Sequence, residues 1–110
     1  MGRITIASFQ PKPGKEADLL KVIAERLPLL RRLGLATDRA NITFRAGSGV
    51  IVDVSEWVND AAIDRAHHTP EVLALWERFS ACCDFVNLDT LEEVHEMFAT
   101  FEAITLPAID

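Results

Sequence analysis

One stretch confines the fold more than any other: "ANITFRAGSGVIVDVSEW", residues 40 to 57. Two runs of alternating character flank Gly47-Ser48-Gly49, which is the pattern of a β-hairpin. Pairing Ala46 with Val50 across that loop puts Ile42, Phe44, Ala46, Val50, Val52 and Val54 on one side. Asn41, Thr43, Arg45, Ile51, Asp53, Ser55 and Trp57 then share the other. A slip of one residue mixes the two sets, so the alternation specifies the register. A chain built round this hairpin is committed to an antiparallel sheet, and its other segments have to cover that sheet.

Those segments divide in order. "RITIASFQ" (3–10) alternates and reads as a first strand. "PKPGKEAD" supplies Pro and Gly punctuation and an acidic first turn, a helix start. Leu20, Ile23, Leu27 and Leu30 form its apolar stripe, Gly34 is its stop, and Pro28 predicts a kink near Ala24. After Trp57 a helical piece begins with Asn59 or Asp60 as cap. Thr69-Pro70-Glu71 opens another helix, with Val72, Trp76, Phe79, Cys83 and Val86 at helical spacing. "NLDTLEEV" reads as a short helical turn capped by Asp89, and 97–104 as a last strand.

The order β-α-β-β-α-(α)-β over a single domain, 1–110, describes a ferredoxin-like α+β fold. Its antiparallel sheet carries helices on one face. The other face is then uncovered, and Trp57, Ile51 and Phe9 are expected on it. A second copy of the same sheet is the simplest cover, so a homodimer is expected.

Composition removes several function classes. The apolar runs are far shorter than the ~20 residues a bilayer demands, so no membrane role is expected. The N-terminus reads as a strand, not a signal peptide, and Ile6 stands where a myristoylation signal needs Ser or Thr. A cytoplasmic protein is the expectation. A formal net charge of −6 with no basic stripe argues against nucleic acid. Two adjacent cysteines, Cys82 and Cys83, cannot form a spaced disulfide framework.

Three stretches, "PKPGKEADLLKVI", "VIVDVSEWVNDAAIDRAH" and "TPEVLALWERF", carry a family likeness. On them, over roughly residues 3 to 104, the chain resembles the antibiotic biosynthesis monooxygenase-type, dimeric α/β-barrel superfamily. The resemblance implies two sheets closing into a barrel and a pocket between sheet and helices in each subunit. It implies cofactor-independent oxygenation of a small hydrophobic or aromatic compound, or a non-catalytic dimeric ligand-binding or scaffold role. Haem degradation is a third implied activity. The positions matching that branch's Asn and Trp are Ala7 and Ala66, and its ligating His falls nearer Glu71 or Ala74.

His67 and His68 are the candidate catalytic pair, since a near-neutral imidazole suits a general base. The plainer alternative is a pair of solvated residues beside a helix cap. A shared metal with Cys82 and Cys83 is ruled out within one chain, because a connecting helix separates the pairs by roughly 21 Å. The cysteines are read as small core residues and His95 as surface. Neither a metal nor a cofactor is expected. Phe9, Arg45, Asp53, Trp57 and Trp76 complete the expected ligand pocket, with Arg45 reaching Asp53 diagonally across the hairpin. For that pair a buried ion pair at the dimer interface is the preferred alternative, and for the tryptophans plain core.

Overall fold

The Gly47-Ser48-Gly49 loop closes the hairpin in the register the alternation requires. The Ala46 N–H donates to the Val50 carbonyl at 2.9 Å, and Gly49 turns the chain with a φ of 96° that other residues rarely adopt. This computed structural model describes residues 2–109. The hairpin strands are β2 (Ile42–Arg45) and β3 (Ile51–Trp57), with Thr43 opposite Asp53. Before them come β1 (Arg3–Pro11) and α1 (Glu16–Arg32); after them α2 (Asp60–Ala66), α3 (Pro70–Cys82), β4 (Cys83–Val86) and β5 (Glu102–Ala103). Two short 3₁₀ turns, Leu88–Thr90 and Glu92–His95, lie between the last two strands. The sheet is antiparallel throughout, in the order β4-β1-β3-β2-β5.

All three helices cover one face of it. Phe9 and Ile51 pack with Leu19, Val22 and Ile23 of α1 and with Leu75 and Phe79 of α3. Trp57 packs with Leu30 of α1, Ala62 and Ala66 of α2, and Val72 of α3. The expectation that Trp57, Ile51 and Phe9 lie on the uncovered face is therefore corrected. They are the floor of the helix-covered core. The alternation defined two sets but not which one faced inward, because both sets contain large apolar residues.

The opposite face is half covered by the chain's own C-terminal third. Leu91 is buried there against Ala46, Val50 and Val52, with Leu88, Val94 and Phe101 packed around it. The other half stays open. Ile4, Ile6 and Ile42 are 55%, 48% and 64% exposed, and the register lines up Ile6, Val54 and Ile42 in one row across three strands.

Local signals explain most boundaries. Gly34 ends α1 with a φ of 74°, while Leu35 N–H reaches the Leu30 carbonyl and Gly34 N–H that of Arg31. Those two hydrogen bonds form the Schellman pattern. The Asn59 side chain accepts from the Ala62 N–H to open α2. Pro28 is carried within α1, which runs on to Arg32. Four readings are corrected. The stripe of α1 buries Leu19, Val22 and Arg26 along with Ile23, Leu27 and Leu30, and leaves Leu20 half-buried. Helix α3 stops at Cys82, and Cys83–Val86 leaves it as an edge strand on β1. The last strand shrinks to Glu102–Ala103, and no side-chain bond from Asp89 caps the turn before it. Among the described residues, no helix is long and apolar enough to cross a membrane.

Candidate functional site

Arg26 lies on the buried stripe of α1, where a cation is costly to place. Only 7% of it is exposed. It extends down to the helix-covered face of β3, where the alternation delivers Asp53, Ser55 and Trp57 side by side. Nη1 donates to Ser55 Oγ at 2.9 Å and stands 3.7 Å from Asp53 Oδ2. The guanidinium carbon lies 5.5 Å from the centre of the Trp57 ring, within cation–π range. Asp53 is 3% exposed, and its other oxygen, Oδ1, accepts from Thr43 Oγ1 at 2.7 Å and Asn41 Nδ2 at 2.8 Å. The result is a polar island inside the sheet–helix layer.

The electrostatics of the island are unbalanced. Burial pushes the Asp53 carboxyl above the ordinary carboxylate value, against the opposing hydrogen bonds from Thr43 and Asn41 and the charge of Arg26. Burial likewise lowers Arg26, outweighing the attraction of Asp53. At 3.7 Å and without a direct hydrogen bond, neither charge fully offsets the desolvation of the other. The register sets Ala7 beside Asp53 and Thr5 beside Ser55. Both β1 residues are small and only half-buried although they face the helices.

Of the residues singled out in the sequence, Asp53 and Trp57 meet in this island. Phe9 is buried, stacked on Phe79 with ring centres 4.9 Å apart, and so fills the core at the far end of β1. Trp76 is half-buried and touches both helix-side cores. His67 follows the last turn of α2, exposed, with its ring edge-on to Trp76 at 5.0 Å, and His68 beside it is exposed as well. Arg45 does not reach Asp53. It binds Glu16 at the start of α1 through Nε, 2.8 Å from Oε1, and Glu102 of β5 through Nη1. The expected diagonal pair is thus corrected: Arg45 turns towards the sheet edge, and Asp53 is buried under a helix of its own chain. Cys82 and Cys83 are both buried, and burial raises the Cys83 thiol to about 12, which keeps it protonated and unreactive. Among the described residues, no group of three or more His, Cys, Asp or Glu side chains is placed to hold a metal ion.

Arg26 was missed in the sequence, and a signal for it existed. It falls three residues after Ile23 and four before Leu30, so a charged residue occupies the apolar stripe. Such a residue needs a buried partner, and Asp53 on the opposing strand is the one carboxylate of the inward set.

No family model, no curated protein and no solved structure matches this chain.

Proposed function

We propose that this chain is a ferredoxin-like, antibiotic biosynthesis monooxygenase-type domain that works as a homodimer and oxygenates a small hydrophobic or aromatic compound without a cofactor. The observation that carries this reading is the Arg26–Asp53 pair, buried beside Trp57 between the sheet and the helices. A charge pair of this kind stabilises less than well-packed apolar side chains of the same volume. Buried ionisable groups shifted by desolvation and facing a specific charge partner are candidates for a functional site. The strand order β4-β1-β3-β2 supports the fold assignment, and the row Ile6, Val54 and Ile42 supports a second sheet as cover.

The chemistry suits such a site. Dioxygen reacts with an electron-rich anion, turning a ligand CH2 into C=O, with its second oxygen leaving as water. Arg26 supplies the positive charge that keeps such an anion in place, and Trp57 supplies a flat apolar wall. The test is oxygen consumption by the purified protein with a series of hydroxynaphthalenes and enolisable aryl ketones, no cofactor being added. Uptake of one O2 per ketone formed is the expected result. A non-catalytic ligand-binding or scaffold role is the second reading, favoured by the exposure of His67 and His68 away from the island. Native mass spectrometry separates the two: a ligand bound to a dimer that consumes no oxygen establishes the second.

A further inference from the structure

Two clefts adjoin along the seam between α1 and α3, on the side of the helices away from the sheet. The larger has a volume of about 460 Å³, within the roughly 300–1,000 Å³ usual for small-molecule sites. Its apolar walls are Pro28 and Leu29 of α1, Leu75 of α3, and Ala108 and Ile109 of the C-terminal tail. The tail is held near the helices because Ile104 and Leu106 pack against the helix-side core. Pro28 is exposed in the interior of α1, where a proline weakens a helix, and it lines this cleft. Among the described residues, no aromatic side chain lines either cleft.

The charges along the seam do not cancel. Lys15, Lys21, Arg32 and Arg78 line the two clefts, against only Asp18 and Glu25. Lys15 Nζ stands 3.6 Å from Asp18 Oδ2, and Arg78 Nη2 pairs with Glu25 Oε2. Lys21 and Arg32 are left over: among the described residues neither has a salt bridge or a side-chain hydrogen bond. The seam is thus locally positive on a molecule whose formal net charge is −6. Lys21 and Arg32 stand about 16 Å of helix rise apart on α1, with Pro28 and Leu29 between them.

Walls and charges select the same class of ligand. A cation is repelled by the spare charges, and a flat ring finds no aromatic side chain to stack on. An aliphatic anion uses both features. Its chain covers Leu29, Leu75 and Ile109, and its head stays at the exposed rim without the cost of full burial. Glu25 lies one helical turn from Lys21 and two from Arg32, so a carboxylate is repelled least at Arg32. The guanidinium fork there matches a carboxylate with two parallel hydrogen bonds.

We propose that the α1–α3 seam binds a medium-chain fatty acid as its carboxylate, with the head on Arg32 and the chain along Leu29, Leu75 and Ile109 towards the Lys21 stem. None of these residues belongs to the Arg26–Asp53 island, so the oxygenase reading stands or falls separately.

Decanoate and decan-1-ol test it, since they share a chain and differ in charge. Each is titrated into the protein at neutral pH, below its aggregation limit, and followed by backbone amide shifts in NMR spectra. Decanoate should move the amides of Leu29, Leu75 and Ile109 and bind more tightly than decanol. Arg32→Gln should weaken decanoate about fivefold, as loss of one exposed ion pair does, and leave decanol unchanged. Arg32 is exposed; should the variant nonetheless fail to fold, the comparison of the two ligands on the wild type decides alone. Equal affinity for decanol overturns the selection of an anion. Undiminished decanoate binding by Arg32→Gln overturns the placement of the head. Shifts confined to Ile6, Val54 and Ile42 on the open half of the sheet, or no shifts at all, overturn the site.

Discussion

At the scale of single residues, Glu56 and Asp53 respond to acid in opposite senses. Thr37 Oγ1 and Arg39 Nε donate to Glu56 Oε1 at 2.7 and 3.0 Å, and they hold its carboxyl below the ordinary carboxylate value. A group lowered on folding contributes stability that is present above its unfolded pKa and is lost as pH falls through the folded one. Asp53 is raised, so its contribution favours the folded state at low pH and is lost as pH rises through the folded value. Glu56→Gln should therefore lower stability at neutral pH and converge on the wild type in acid. Urea unfolding at a series of pH values between about 2 and 7 measures this. A constant difference across that range would contradict it. Arg26 teaches a different lesson at the same scale. Its position on the α1 stripe is visible in the sequence, but its pairing with Asp53 is not, because the hairpin itself offers a nearer cation, Arg45, on the same face.

At the scale of elements, the hairpin register was legible because β2 and β3 are local and the loop leaves one pairing that keeps the two sets apart. The α1 stop was legible because Gly34 is the residue a left-handed turn favours. The α3–β4 boundary was not. Cys83 and Val86 fit a helical spacing after Phe79, and what turns them into a strand is the unpaired edge of β1, a partner some seventy positions away. The same holds for β5, which exists only where β2 offers it an edge. Arg45 fastens this short strand by joining Glu102 to Glu16 at the first turn of α1. The salt bridges are part-exposed, so Arg45→Met should cost at most about 1 kcal/mol of global stability. Its local effect should be larger. Hydrogen exchange at the Ile104 amide, which donates to the Thr43 carbonyl at 2.9 Å, should accelerate in that variant while amides in β1 and β3 keep their protection. Equal acceleration everywhere would show that Arg45 supports the whole fold.

At the scale of the whole molecule, the open half of the sheet sets the association state in the reading given above. Ile6→Glu places a charge in the middle of the Ile6–Val54–Ile42 row without touching the helix-side core. Light scattering should find the wild type dimeric and this variant monomeric, with an unchanged circular dichroism spectrum. A dimer that survives the substitution would move the interface elsewhere. The order β4-β1-β3-β2-β5 has one more effect, on timing. The strand translated first takes a central place, and its two neighbours emerge from the ribosome much later, β4 after both α2 and α3. During synthesis β1 therefore waits as an unpaired ribbon with Ile4, Ile6 and Phe9 uncovered, exposed to chaperones and to other nascent chains until β3 arrives.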